Sequence, residues 1–267
     1  MPMNPTLPKS MPECDNIIEV KDLTVGYGSN VVLQNLNFSV KRGEVFVILG
    51  GSGCGKSSLL KNMIGLYDPP MGSVWIEGQN IVTALGVERQ NILTRFGVMY
   101  QQGALFGSMT LLENVRLFLE EYTQLQECEM SLIARCKLDL VGLLPFEAFM
   151  PSEISGGMQK RAAIARAMAL DPDILFLDEP SAGLDPITSA ELDQTILSIS
   201  RNLGITFVVV THELPSVFTI ADRVIMLDKS TKGIIAEGDP KWLRDHSDMP
   251  LVRQFFNRDA HAIDTPN

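Results

Sequence analysis

The sequence predicts an α/β fold in which sheet-forming segments flank a mostly helical insertion. Three observations carry that prediction. Short apolar runs, VFVIL at 45–49, ILFLD at 174–178 and ITFVVV at 205–210, alternate with helical stretches. A glycine-rich segment, GGSGCGKSS at 50–58, follows one of these runs and precedes a helix. From Gly103 to about Leu170 the apolar spacing is helical.

Taken in order, residues 17–25 (IIEVKDLTV) alternate apolar and polar and predict a half-buried strand. LNFSV at 36–40 predicts another. The run at 45–49 is continuous and ends in glycines, as a buried strand feeding a tight loop does. A helix is expected from about Gly55 to Leu66. YDPPMGS then turns the chain into VWIEGQN, an antiparallel-type strand and turn, so the N-terminal part reads as an antiparallel β subdomain. RFGVMY at 95–100 predicts a further strand. TLLENVRLFLEEYTQL, EMSLIARCKLDLVGLL and ISGGMQKRAAIARAMAL supply the helices of the insertion. Strands resume at 174–178, 205–210 and 223–227 (RVIML), with a helix over roughly 187–203. After Gly238 the chain is polar and proline-bearing, apart from one short amphipathic candidate, LVRQFF. There is no internal repeat and no low-complexity tract.

A chain of 267 residues with 45% hydrophobic content can bury a substantial core. A net charge of −10 argues against a nucleic-acid surface, which normally needs a basic face. No apolar run approaches the roughly 18 residues needed to span a bilayer. The opening stretch MPMNPTLPKSMPECD lacks an apolar core and predicts a frayed lead-in, not a secretory signal. Cys14, Cys54, Cys128 and Cys136 show no metal-type pairing and are expected to be reduced thiols in a cytoplasmic protein.

The segment at 50–58 matches G-x-x-x-x-G-K-[ST]. Gly50, Gly51, Ser52, Gly53, Cys54, Gly55, Lys56, Ser57 and Ser58 are the expected nucleotide cradle. The glycines let backbone N–H groups wrap a polyphosphate, Lys56 can reach the β- and γ-phosphates, and the Ser57 hydroxyl can ligate Mg²⁺. An ordinary glycine-rich turn would need neither Lys56 nor Ser57. ILFLDEP is an apolar strand ending in two acids. Asp178 is expected to hold the metal or its water, and Glu179 to act as general base on the attacking water. His212 follows another apolar run and can donate to the γ-phosphate. A lone histidine at a strand end is otherwise a structural residue. Gln101, after RFGVMY, can complete the metal or water shell, with Gln102 as an adjacent rival. Tyr27, in the loop VGYGSN, can stack on an adenine.

Ser155, Gly156 and Gly157 open the long alanine-rich helix of the insertion and form a second anion-seeking helix start, with no lysine beside the glycines. A phosphate loop contacts one side of a triphosphate and leaves the γ-phosphate partly open. Catalysis of phosphoryl transfer is mainly positioning and electrostatics, so that side must be filled. The expectation is a two-fold homodimer in which each copy's Ser155, Gly156 and Gly157 cap the ATP held by the other. The small residues of AAIARAMA also suit close packing, and the two purposes are compatible.

GGSGCGKS, Gln101 after a strand, ISGGM, ILFLDEP, SAGLD and the histidine of THE occur in the order and spacing of ABC-transporter ATPase subunits. The resemblance covers about residues 17–240 and implies a RecA-like core, with a helical subdomain over about 103–168 that touches membrane partners. The family signature usually reads LSGGQ, whereas this chain has ISGGM, with Gln159 one place later. With QQGALFGSMTLLENV and SAGLDPITS, that variant resembles the ATPases of the maintenance-of-lipid-asymmetry (Mla) and related MCE phospholipid transporters. Met158 removes any polar contact made by the family glutamine but leaves Ser155, Gly156 and Gly157 in place.

The resemblance implies an ATP- and Mg²⁺-dependent ATPase. It would power phospholipid transport between the inner and outer membranes of a Gram-negative-type envelope. It also implies an integral-membrane permease, a small accessory subunit, a periplasmic or membrane-anchored lipid-binding subunit, and a place on the cytoplasmic face of the inner membrane. The division expected is a lead-in at 1–15, an ATPase domain at 16–240 and an extension at 241–267. One alternative is an ATPase serving another solute. A factor acting on nucleic acid or ribosomes would usually carry long coiled coils or tandem ATPase units, which are missing here. A scaffold that binds without hydrolysing would need neither Glu179 nor His212.

Overall fold

The computed structural model describes residues 16–28 and 30–258. The expected lead-in, with Cys14, lies outside the described residues, as do positions 259–267. β1 (Asn16–Tyr27) and β2 (Asn30–Lys41) form an antiparallel hairpin in which Tyr27 pairs with Asn30. Tyr27 therefore ends a strand, where the sequence suggested a loop. Gly28, at φ 57, begins the tight reversal that allows this. At Asp22 (φ 49) the alternation slips by one, so Leu23 faces the core in its place.

β3 (Val45–Gly50) leads through the glycine-rich loop into α1 (Lys56–Met63). β4 (Met71–Ile76) and β5 (Gln79–Asn80) complete a four-stranded antiparallel sheet in the order β2-β1-β4-β5. α2 (Gly86–Leu93) precedes β6 (Phe96–Met99). The insertion holds α3 (Leu111–Tyr122), α4 (Glu127–Leu140) and α5 (Gly156–Ala167). β7 (Ile174–Asp178), α6 (Pro186–Leu203), β8 (Thr206–Val210), α7 (Leu214–Ile220), β9 (Arg223–Asp228) and β10 (Gly233–Gly238) follow.

The second sheet has the order β10-β9-β3-β8-β7-β6, parallel except for β10. Every residue of β3, β7 and β8 is buried, which is why these strands read as unbroken apolar runs. Val45, Val47 and Leu49 pack into the layer shared with the helical insertion, and Phe46 and Ile48 into the layer under the antiparallel sheet. The glycine-rich loop thus leaves the end of a strand held on both faces.

The turn before α3 is fixed by a reciprocal cap. Thr110 Oγ1 accepts from the Glu113 N–H, and the Glu113 carboxylate accepts from Thr110. Buried Asn114 then donates to the carbonyls of Phe106, Met109 and Thr110 and accepts from the Phe106 N–H. This loop leads away from Gln101, so its rigidity bears on the site.

Two helices close the described chain, α8 (Pro240–His246), capped by the Asp239 side chain, and α9 (Pro250–Asn257). The sequence placed Leu251, Val252, Phe255 and Phe256 on one face. The fold divides them. Val252 and Phe256 are buried in the main core, Phe255 is half-buried, and Leu251 is exposed. The Phe256 ring lies 5.8 Å from that of Phe218 on α7. The helix therefore packs on its own chain, and Phe256→Ala is expected to cost about 3–5 kcal/mol of unfolding free energy in denaturant titrations. An unchanged midpoint would detach α9 from the core.

Candidate active site

The glycine-rich loop opens on a cavity of about 770 Å³ lined by Tyr27, residues 50–53, residues 55–58, Gln101, Glu179 and His212, together with Asn30, Val32 and Phe255. Gly50, at φ 151, could carry no side chain: a Cβ there would fall 2.5 Å from Cys54 Sγ and 2.6 Å from the Leu227 carbonyl oxygen. Gly55 takes the N-cap position of α1 at φ 106. The helix begins with no side-chain cap and no acid in its first turn, so its positive end is left to face an anion. Lys56 is buried and curls over the loop, its Nζ donating to the carbonyls of Gly50 at 2.9 Å and Gly51 at 3.3 Å. Cys54 is buried within the cradle, where desolvation pushes its thiol pKa up and leaves it unreactive.

β7 delivers the two acids. The Ser57 hydroxyl donates to Asp178 Oδ1 at 3.1 Å, which joins a residue of α1 to one 121 positions later. Burial pushes the Asp178 carboxyl pKa above its ordinary value, with the Ser57 hydroxyl pulling the other way. A desolvated carboxylate beside a hydroxyl, with a phosphate cradle adjoining, fits a divalent cation such as Mg²⁺.

Glu179 follows in the left-handed backbone region at φ 47, and its N–H is held by the Val210 carbonyl at 2.8 Å. A strained non-glycine residue costs on the order of 1–3 kcal/mol and persists where the surroundings enforce it. Here the turn aims the carboxylate into the cavity. His212 Nδ1 lies 2.9 Å from both Glu179 carboxylate oxygens, while Nε2 is 3.8 Å from Glu213 Oε1. The histidine thus addresses the acid directly, a pairing that sequence reading, which aimed it at phosphate, did not supply.

Gln101 lines the cavity and Gln102 does not. The Gln101 carbonyl accepts a hydrogen bond from Lys160, a buried cation of α5 that was not singled out from sequence. Burial lowers the Lys160 pKa, and the charge of Glu179 opposes that shift. The neighbouring carbonyls of Gly103 and Ala104 accept from buried Arg166, so α5 grips this loop at three points. Tyr27 donates its hydroxyl to Ser58 Oγ at 3.0 Å, and its ring meets Tyr67 edge-on at 5.7 Å. Phe255 reaches the cavity from α9, a contact without any local sequence signal.

Ser155, Gly156 and Gly157 do not line this cavity. Ser155 Oγ accepts from the Met158 N–H at 3.3 Å and caps α5, while Ser155 and Gly156 remain exposed.

A family model described as ABC transporter matches residues 33–182. The chain is 45% identical over 240 residues to the probable ribonucleotide transport ATP-binding protein mkl of Mycobacterium leprae. That alignment covers 90% of this chain and 68% of that protein, so the chain spans about two thirds of its relative. It is 40% identical over 238 residues to the intermembrane phospholipid transport system ATP-binding protein MlaF of Haemophilus influenzae, covering 89% of each. Among solved structures, the dimeric post-hydrolysis state of the ATP-binding cassette MJ0796, bound to ADP and Pi, superposes with a TM-score of 0.72 at 30% identity. That match covers 83% of this chain and 98% of the cassette.

Proposed function

The chain belongs to the ABC transporter ATPase family, and on that premise we propose that it is the ATP-hydrolysing subunit of a phospholipid transporter. The observation that carries the enzymatic half is Glu179, aimed by a strained turn into the phosphate cavity and paired with His212. The relative named for phospholipid transport, similar along nearly its whole length, supports the transported substrate.

In this reading the loop N–H groups and Lys56 bind the phosphates of ATP, and Tyr27 offers its ring to the adenine. Ser57 and Asp178 would hold Mg²⁺, with Gln101 completing its shell or that of the water. The ion supplies neutralisation of charge on the phosphate oxygens. Glu179 orients the attacking water and takes its proton, while His212 Nδ1 holds the carboxylate in place; donation from Nε2 toward the γ-phosphate as well would require the doubly protonated ring. The helix start at Ser155, Gly156 and Gly157 completes the site of a second copy. Its absence from this chain's own cavity supports that assignment.

No helix among the described residues is long and apolar enough to cross a membrane. In this reading, which the relative named for intermembrane phospholipid transport supports, a permease would hold the subunit at the cytoplasmic face of the inner membrane. A groove walled by buried Phe96 of β6 and rimmed by the exposed Phe118 and Tyr122 of α3 supports a permease contact at the helical insertion. A small accessory subunit and a periplasmic or membrane-anchored lipid-binding subunit would complete the assembly.

The relative named for ribonucleotide transport favours a second reading, an ATPase for another solute. Copurification of the assembled complex from membranes, with mass spectrometry of the bound molecules, separates the two. Phospholipid is expected, and a complex that carries ribonucleotide and no phospholipid overturns the assignment. The composite site has its own test. A Cβ on Gly156 meets nothing nearer than Leu184 Cδ2 at 3.7 Å, so Gly156→Trp can be made without a close clash at that first atom. Lys56→Ala and Gly156→Trp chains should each be inactive alone. Mixed in equal amounts, random pairing of independent sites returns about a quarter of the wild-type rate. Full activity of Gly156→Trp alone refutes the arrangement.

A further inference from the structure

We propose that Gly157 is required as a notch for Thr188 of the same chain, a steric duty that Gly156 does not share. The two glycines are adjacent and equivalent in sequence, but their surroundings differ. Gly156 is exposed, and a side chain there finds ordinary contact at 3.7 Å. Gly157 is buried, and a Cβ there would fall 2.2 Å from Thr188 Cγ2, inside any van der Waals contact.

Thr188 has little freedom to move aside. It sits in the first turn of α6, its side chain is β-branched, and its Oγ1 donates to Asp185 Oδ2 at 2.5 Å. Its N–H and that of Ile187 each reach Asp185 Oδ1 at 3.1 Å, so Asp185 caps the helix and locks the threonine together. The stretch between Glu179 and Asp185 is tied as well. The Ala182 N–H reaches the Glu179 carbonyl at 3.2 Å, and the Leu184 N–H reaches that of Ser181 at 3.1 Å. The notch therefore seats the start of α5 on the start of α6, and through SAGLD on the chain leaving Glu179. Gly157 is a positioning residue. It fixes where Ser155 and Gly156 are presented, and its effect on turnover rests on the composite site proposed above.

Gly157→Ala and Thr188→Ser, made singly and together in the full chain, test this. Serine deletes the methyl that meets Gly157 and keeps the hydroxyl that binds Asp185. Gly157→Ala should lower ATPase turnover on the order of 10²-fold, the cost of an ångström-scale misplacement. ATP binding by its own phosphate loop should persist. Adding Thr188→Ser should restore turnover by roughly tenfold or more, the non-additivity expected of residues in direct contact. A double variant that is as slow as Gly157→Ala and melts no higher overturns the proposal, since the glycine would then serve the ligand. Wild-type turnover of Gly157→Ala overturns it too. If Gly157→Ala fails to fold, recovery of a cooperative melt in the double variant supports the notch, and continued failure overturns it. Melting reads the notch without ATP: recovery there with no response in turnover would sink the composite site alone.

Discussion

Glu179→Gln is expected to bind ATP with undiminished affinity and to hydrolyse it on the order of 10²–10⁴ times more slowly. The phosphate contacts proposed above come from the loop after β3 and not from Glu179, so binding should not respond. The amide keeps the size of the carboxylate and can still accept from His212 Nδ1, which holds the side chain where Glu179 lies at 2.9 Å from that nitrogen. Only the ability to take a proton is lost. The rate change corresponds to about 3–5 kcal/mol of barrier. With hydrolysis stalled and ATP retained, two copies should stay joined through their nucleotides. Size-exclusion chromatography with ATP should then show a dimer that wild type forms only transiently. Normal turnover by Glu179→Gln would remove this residue from catalysis.

Which features sequence reading can reach follows from how far apart the cooperating residues lie. β3, β7 and β8 were legible because burial on both faces forbids polar interruptions. The grouping of residues 50–53 and 55–58 around one cavity was legible because they are contiguous in the chain. α2 was not, since only Ile92 of its eight residues is buried and no apolar period results. α7 and β10 were missed for related reasons, a helix of seven residues with proline in its first turn and a strand of half-buried residues between glycines. Within the site, the residues missed act across the chain. Lys160 reaches Gln101 over 59 positions, and the pairing of His212 with Glu179 spans 33. The differing duties of Gly156 and Gly157 depend on Thr188, which no local pattern connects to them. Periodicity reports the environment of one element, and such contacts are set by the packing of two.

Lys56→Ala should abolish measurable ATPase and weaken ATP binding by at least one order of magnitude while the chain stays folded. The ammonium is buried, and two of its donors are satisfied by the carbonyls of Gly50 and Gly51. That arrangement keeps a desolvated cation at the mouth of the cradle, with no carboxylate ion-paired to it among the described residues and able to turn toward phosphate. A hydrogen bond to a charged group contributes about 1.5–3 kcal/mol, which is a factor of roughly 10–150 in affinity. The fold should tolerate the change, because the strand and helix flanking the loop are held by Phe46, Ile48, Leu59 and Leu60 in the layer under the antiparallel sheet. Lys56→Arg distinguishes charge from shape. Its planar fork is bulkier than an ammonium and must fit a position only 8% exposed, so retained charge alone should not restore turnover. Titration with ATP and thermal melting of each variant give the two readouts. Wild-type affinity in Lys56→Ala would mean that the phosphates are bound elsewhere.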